Sequence, residues 1–290
     1  MAMNPLRFEA PTPLQYFATL VADDDQFSLV EAAISVGQDD EPGLDVQSVL
    51  SQIDVLAARL GKRLAADAGA MHRLRGLNRF FFEELGFAGN VNDYHDPHNS
   101  YLHRVVETRR GIPITLALIY LEIAGHIGLD ARGVSFPAHY LVKLKLPQGE
   151  AVIDPLTGQS LTRDALEDRL SPYRQQQGLV GDFEAPLGLF LQSASPRETL
   201  ARLLRNLKEI HRSSDDLSRL LAVQERLVLL LPDVWEERRD RGLLLARLGN
   251  LPAAADDLST YLGKRPQAPD AAGIGARLSD VRRGLQPRLH

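Results

Sequence analysis

Two prolines near the C-terminus follow successive helical patterns at a fixed interval. Pro232 and Pro266 stand 34 residues apart, and that interval is typical of paired antiparallel helices that stack into a solenoid. The unit at 199–231 follows the same period, and a last helix is expected near 270–285. We therefore expect residues 197–290 to form a short helical repeat array.

The rest of the chain predicts helices first and a small sheet afterwards. Apolar residues recur at three- and four-residue spacing over 46–64, which is typical of one buried helical face, and helical patterns extend over 14–88. Residues 139–146 and 151–154 predict a β-hairpin with a loop of about four residues. The predicted class is α+β, mainly helical, with a small antiparallel sheet.

These patterns divide the chain into four predicted regions. A helical N-terminal region, 1–88, is expected to pack on a compact core at 89–175. Glutamine, glycine and proline are frequent in 176–196, which predicts a linker. The repeat array occupies 197–290.

Composition excludes several functional classes. The chain contains no cysteine, so disulfides, thiolate metal sites and thiol catalysis are all excluded. The net charge is −5, from 33 basic and 38 acidic residues that are intermixed. Without a sustained basic stripe, nucleic acid is not an expected partner.

The N-terminal sequence and the most apolar segment bear on location. Prolines at positions 5, 11 and 13 interrupt the N-terminus, which argues against a secretory signal. The run 112–129 contains Glu122 and His126 and therefore predicts a buried helix rather than a membrane span. We expect a cytoplasmic protein that neither enters a membrane nor carries a cofactor.

Several short motifs stand out in the middle third of the chain, at 99–102, 110–117, 128–134, 136–139 and 154–155. Together they resemble the bacterial SirB-type family, in which a transglutaminase-like, papain-like core precedes tetratricopeptide repeats. The similarity covers about residues 14–265.

The resemblance implies roles for three positions. In catalytic transglutaminase-like proteins a cysteine begins the helix that ends in a Gly-(Ile/Leu)-x-Ala-Arg motif. Aligning that pattern on 128–132 places Pro113 at the nucleophile position. His139 then matches the general base, and Asp154 matches the carboxylate that orients it. The attacking atom is missing, so the family's thiol mechanism is impossible here.

The start of the helix at Pro113 remains suited to binding. Proline is favoured at the first helical position because its missing N–H has no partner there. The N–H groups of Ile114, Thr115 and Leu116 are expected to be free, since Ile112 offers no side-chain cap. Such donors suit a carboxylate, a phosphate or a peptide carbonyl. With Asn99 from the neighbouring motif, Pro113 and Ile114 are the candidate binding residues.

Thr115 offers an alternative in which catalysis survives. Its hydroxyl, activated by His139 and oriented through Asp154, would give a hydroxyl-dependent amide hydrolase or acyltransferase. A Thr115 hydroxyl within ~3.2 Å of an imidazole nitrogen would favour this enzyme. The competing interpretation is a threonine that bonds to its own backbone. Equally, His139 and Asp154 can form a rigid polar strut, with Asp154 capping the turn that follows it.

The loop at 93–98 contains the residue types of a metal site. His95, Asp96 and His98 stand close together with Asp93, but no further ligand is identifiable, and Pro97 stiffens the loop. A capping loop is favoured over a metal site, and no metal is expected. Just after this loop, Ser100 or Asn99 is expected to cap a helix over 101–108.

Three hypotheses about function follow. The first is a non-catalytic regulatory or protein-binding module, with a protein or peptide on the concave repeat surface and a smaller group in the core cleft. The second is the Thr115-dependent enzyme. The third is a structural scaffold with a filled cleft, which predicts no pocket beside His139.

Overall fold

Helices dominate the architecture, and two small sheets occupy the middle third of the part described. The computed structural model describes residues 11–23, 27–90, 93, 96–179, 181 and 184–285. The predicted mainly helical α+β class is confirmed. Across these residues, no helix combines the length and the apolar character that a membrane crossing requires.

The N-terminal region forms helices that cover one side of the core. They are α1 (Pro13–Leu20), α2 (Leu29–Ser35), α3 (Val46–Gly61) and α4 (Ala70–Asn78). A 3₁₀ turn at Val36–Asp39 follows α2, and α4 continues into a π-helical turn at Arg79–Glu84. That turn buries Phe80 and Phe81 in the core.

Helix α6 is the central element of the core. A 3₁₀ turn at Pro97–Ser100 leads into α5 (Leu102–Thr108), and α6 (Pro113–His126) follows after a short break. Pro113 takes the first helical position, as predicted. Most of α6 is buried, which confirms that this apolar run is a core helix.

The sheets are short and differ in direction. Strands β1 (Ala88–Gly89) and β2 (Arg110–Gly111) pair in parallel. Strands β3 (Ala131–Val134), β4 (Leu141–Leu146) and β5 (Gly149–Ile153) form an antiparallel sheet in that order.

The predicted hairpin is present, but two details of the prediction were wrong. The loop between β4 and β5 is only Pro147 and Gln148, because Gly149 pairs directly with Leu146. Gly149 has φ of 135°, a conformation that glycine adopts readily. The first strand of the hairpin, β4, begins at Leu141, so His139 lies in the turn before β4 rather than at its start.

Part of the segment predicted as a linker packs onto the sheet. Helix α7 (Arg163–Gln177) is followed by a short helix, α8 (Leu187–Phe190). Leu187 of α8 is buried in an apolar cluster with Leu170 of α7 and Leu141 of β4. Phe190 and Leu191 pack against the same cluster, so apolar side chains within a polar, glycine-rich stretch hold this part of the predicted linker against the core.

The C-terminal region forms the predicted helix pairs. They are α9 (Pro196–Ser213) with α10 (Leu217–Leu230), then α11 (Trp235–Arg247) with α12 (Leu251–Lys264), followed by the last helix α13 (Ala271–Leu285). Pro232 and Pro266 lie in the turns that follow the second helix of each pair. The prediction from the proline interval is confirmed.

Candidate functional site

Thr115 fastens the start of α6 to the turn before α5. Its side chain is fully buried, and its oxygen accepts a hydrogen bond from the Ile112 N–H at 3.1 Å. Its hydroxyl lies 2.9 Å from the Asn99 carbonyl oxygen and 3.0 Å from that of Ile112, its two acceptors. Gly111 leaves the room for this, since a Cβ there would lie 2.7 Å from the hydroxyl oxygen. The hydroxyl is therefore committed to backbone groups.

The free donors at the helix start are fewer than predicted. The Leu116 N–H bonds to the Ile112 carbonyl at 3.1 Å, so its inclusion among the free groups was wrong. That bond is the first one of the helix itself. The N–H groups of Ile114 and Thr115 precede it and have no acceptor within the helix.

His139 and Asp154 meet across the sheet. The His139 Nε2 lies 3.0 Å from Asp154 Oδ1, which also accepts the Leu156 N–H at 3.0 Å. Arg169 brings Nη2 to within 2.9 Å of Asp154 Oδ2. Burial by itself raises the pKa of Asp154, but the bonds from His139, Leu156 and Arg169 outweigh it and lower the pKa to about 2.

This pairing assigns the nitrogen through which the imidazole donates. Because Asp154 is ionised at neutral pH, it accepts hydrogen bonds and donates none. The His139 Nε2 must therefore carry the proton, which leaves Nδ1 of a neutral ring with a lone pair. The pair has the arrangement of a base and its orienting carboxylate, and it equally forms a rigid polar strut.

A cavity of about 190 Å³ lies beside His139, between the start of α6 and helix α9. The scaffold hypothesis, which required a filled cleft here, was wrong. Pro113 and Ile114, two predicted binding residues, line the cavity. The full lining is Ser100, Ile112, Pro113, Ile114, Ala138, His139, Tyr140, Arg202, Asn206, Glu209 and Ile210.

Asn99 and Thr115 stand behind this cavity wall rather than in it. The Asn99 side chain donates to the Asp93 carbonyl at 2.7 Å and accepts from Asn90 at 3.1 Å. Asn99 borders a separate depression with Asp96 and His98. The structure therefore brings Pro113, Ile114 and His139 together at one cavity, while Asn99 and Thr115 position the wall.

Ser100 is a lining residue that sequence reasoning assigned a different role. We expected Asn99 or Ser100 to cap the helix that follows. Instead Tyr101 occupies the cap position, and Ser100 ends the 3₁₀ turn. Ser100 is 1% exposed, and its hydroxyl has no hydrogen-bond partner among the described residues. Its place in a motif beside the helix start was the available signal.

In the loop that contains the candidate metal ligands, Asp96 caps the 3₁₀ turn at Pro97–Ser100. Asp96 Oδ1 accepts the His98 N–H at 2.9 Å, and His95 lies outside the described residues. A different group, on the surface of α3 and α6, has metal-binding dimensions. Ligand atoms of Asp54, Glu122 and His126 lie within 4.8 Å of one another, and Asp54 and His126 are exposed. The His126 Nε2 lies 3.3 Å from Asp54 Oδ1.

A second depression lies among the repeat helices. Its volume is about 200 Å³, and α9, α10 and α11 form its walls. Basic and apolar side chains predominate. The lining is Lys208, Arg212, Leu220, Gln224, Asp240, Leu243, Leu244 and Arg247.

Comparison with known proteins identifies both halves of the chain. Residues 47–205 match the family model of the transglutaminase-like superfamily, and residues 207–279 match a tetratricopeptide repeat model. A UPF0162 protein of Xylella fastidiosa (strain 9a5c) is 34% identical over 260 residues, covering 89% of this chain and 92% of that protein.

Two further proteins are similar to this chain over most of its length. The UPF0162 protein PA3419 of Pseudomonas aeruginosa is 30% identical over 264 residues, covering 91% of this chain and 94% of that protein. Protein SirB1 of Salmonella typhimurium is 26% identical over 239 residues, covering 81% and 86% respectively. The resemblance seen in the motifs is thus confirmed, and the chain belongs to the UPF0162 family, with a transglutaminase-like domain followed by tetratricopeptide repeats.

Proposed function

We propose that this protein is a non-catalytic binding module that regulates a protein or peptide partner held by its repeats. The observation that carries the proposal is the state of the two positions from which a nucleophile would act. Pro113 has no attacking atom, and the Thr115 hydroxyl is buried and bonded to backbone groups of Asn99 and Ile112.

The chemistry of acyl transfer supports this reading. A hydroxyl nucleophile must pass its proton to a base within hydrogen-bond reach. The two acceptors of the Thr115 hydroxyl are carbonyl oxygens, and a carbonyl oxygen is too weak a base for that role. The His139–Asp154 pair then serves as a strut that holds the cavity wall, and the cavity serves for binding.

The repeat depression supports a partner of defined chemistry. Arg212 and Arg247 bring positive charge to its rim, and Leu243 lies in its wall. Partners of helical arrays lie along such concave surfaces. A peptide with acidic side chains next to an apolar one fits this lining.

An active-site probe tests the absence of catalysis. The purified protein is incubated with a fluorophosphonate, which phosphonylates activated serine and threonine hydroxyls with loss of fluoride, and labelled residues are mapped by mass spectrometry. We expect no labelling of Thr115 or Ser100. Modification of either hydroxyl that disappears in His139→Gln would overturn the proposal.

A charge reversal tests the partner surface. The double variant Arg212→Glu, Arg247→Glu is compared with wild type in affinity capture from a bacterial lysate. The control reverses Arg282 and Arg283, which lie on the last helix. We expect a protein retained by wild type and the control but lost from the first variant. Equal capture by all three proteins would remove the repeat depression from the proposal. The proposed cytoplasmic location of the protein is tested separately by cell fractionation.

A further inference from the structure

Two kinds of hydrogen-bond donor meet at the cavity beside His139. One is the Ser100 hydroxyl, which is buried without a partner among the described residues. The other is the Ile114 N–H in the first turn of α6, a helix of 14 residues. The positive end of a helix dipole favours an anion at this position.

The fold itself places these donors side by side. The Asn99 carbonyl accepts the Ile112 N–H at 3.3 Å as well as the Thr115 hydroxyl. Both bonds tie the 3₁₀ turn to the start of α6 and set Ser100, the next residue, against the same cavity. A buried hydroxyl without a partner is costly, and a ligand in the cavity would supply the missing acceptor.

The charges around the cavity select the kind of anion. Arg202 contributes a positive charge, and its guanidinium is held in place by bonds to Ser135 and the Phe136 carbonyl at 2.8 Å. Glu209, on the same helix as Arg202, places a negative charge in the same lining. These two side chains together carry no net charge, so the lining has no surplus positive charge to hold a doubly charged phosphate. Arg202 alone can pair with a single carboxylate.

The size and walls of the cavity limit the rest of the ligand. Its volume of about 190 Å³ is below the range of drug-sized ligand sites. Apolar lining comes from Ile112, Pro113 and Ile210. A short apolar body attached to a charged head fills such a space.

We propose that this cavity binds a small monocarboxylate, with the Ser100 hydroxyl and the Ile114 N–H as donors to the carboxylate and Arg202 as its countercharge. This inference rests on the proposed non-catalytic function, because it uses Ser100 as a donor rather than as a nucleophile. The ligand lies between the core and α9, the first repeat helix, so its binding strengthens the packing of that helix on the core.

Butyrate is the probe. Wild type, Ser100→Ala and the control Ser35→Ala are titrated with sodium butyrate at constant ionic strength, and the amide resonance of Ile114 is followed by NMR. Ser35 is also fully buried, but its hydroxyl bonds the Ala32 carbonyl at 2.8 Å. We expect a saturable shift at Ile114 in wild type and in the control. The Kd should rise about 10-fold or more in Ser100→Ala, since a bond to a charged group is lost.

Two further ligands separate charge from shape. Butyramide, a neutral isostere, should bind at least about 10-fold more weakly, and inorganic phosphate should not displace butyrate. Equal affinity of Ser100→Ala and wild type, tighter binding of phosphate, or an unsaturable shift at Ile114 would each overturn the carboxylate site. Ser100→Ala should fold normally because it removes only an unpartnered hydroxyl, and its thermal unfolding verifies this.

The outcomes also separate this inference from the function on which it rests. Fluorophosphonate labelling of Ser100 would defeat both, because the hydroxyl would then be a nucleophile. Absence of labelling together with absence of butyrate binding would defeat the carboxylate site alone. The binding-module proposal would then stand on the repeats.

Discussion

The two helix pairs of the repeat region have turns of the same length between their helices but differ in what they pack against. The first pair, α9 and α10, contributes its apolar side chains to the main core that also contains α1, α2 and α6. The buried side chains that α9 and α10 contribute are Leu200, Ala201, Leu203, Leu204, Leu207, Val223, Leu227 and Leu230. The second pair and α13 build a separate cluster around Leu258 and Tyr261.

Polar contacts follow the same division. Arg226 of α10 pairs at 2.6 Å with Asp39, which lies in the turn after α2, and Arg219 pairs with Asp40 at 2.9 Å. The outer pair joins the inner one through Glu237 and Asp240 of α11, which both pair with Lys208 of α9, and through Leu221 of α10, which packs against the outer cluster. The first pair therefore belongs to the core and forms a wall of the cavity, whereas the outer unit has an apolar cluster of its own. A family resemblance along the sequence does not mark this physical boundary.

Breaking the buried pair of Asp39 and Arg226 should have the largest effect. Arg226 is 1% exposed, and burial lowers the pKa of this guanidinium and raises that of Asp39. Asp39→Ala leaves the cation buried without its partner, which should cost about 4 kcal/mol of unfolding free energy. Urea unfolding, followed by circular dichroism, measures this loss.

A double variant checks that the loss comes from an uncompensated charge. Asp39→Leu with Arg226→Met removes both charges and fills the space, so it should recover most of the loss. Asp215→Asn breaks an exposed pair with Arg247, keeps a residue that tolerates the left-handed backbone at this position, and should cost less than about 1 kcal/mol. Equal effects of Asp39→Ala and Asp215→Asn would mean that the inner pair is not held to the core in this way.

Truncating Leu258 should destabilise the outer unit alone. This side chain is fully buried in the outer cluster, and Leu258→Ala should cost about 3 kcal/mol through lost burial and a cavity. Trp235, the only tryptophan of the chain, packs against this cluster and reports it by fluorescence. The unfolding transition reported by Trp235 should move to a lower urea concentration, while the hydrogen-exchange protection of α6 stays unchanged. A matching loss of protection in α6 would show one cooperative unit and end the distinction.

Much of the fold could be predicted from the sequence because its signals are local. The interval between Pro232 and Pro266 and the apolar spacing over 46–64 depend only on neighbouring residues. Strand β3 was missed because Arg132 and Gly133 favour no strand by themselves. Pairing with β4 supplies what the local sequence lacks, and such tertiary contacts override weak propensity.

The site was predictable only in part, because tertiary contacts that no local pattern contains bring its residues together. His139 and Asp154 are 15 residues apart and were found through a family pattern, and the structure brings them together. Ser100 was read as a helix cap, which is the common role of a serine before a helix. Its position at the cavity depends on the bond between Asn99 and Thr115, 16 residues apart, which no local pattern contains.

Neutralising Glu237 should weaken the junction between the two units. Its carboxylate is 2.9 Å from Lys208 and from Arg205, both on α9, and 3.0 Å from the Gln224 amide. Burial alone would raise the pKa of Glu237, but these bonds lower it. Glu237→Gln should cost about 2 kcal/mol, seen as an earlier Trp235 transition. Arg265→Gln, which breaks an exposed pair with Glu236, is the matched control and should change little.

The smallest predicted effect is the pH dependence that Asp154 gives to the core. Its pKa is about 2 in the folded protein against 3.8 when unperturbed, so protonation favours the unfolded state. The stabilisation is complete above about pH 4 and disappears as the pH falls toward 2. The size of this stabilisation is about 1–2 kcal/mol, allowing for solvent screening.

Asp154→Asn should therefore lower the free energy of unfolding at pH 7 by that amount and match wild type near pH 2. Because Asp154 lies in the core, the Trp235 transition should be unaffected by the substitution. If instead Asp154→Asn moved the Trp235 transition as far as the unfolding of α6, the outer repeat unit could not be independent of the core.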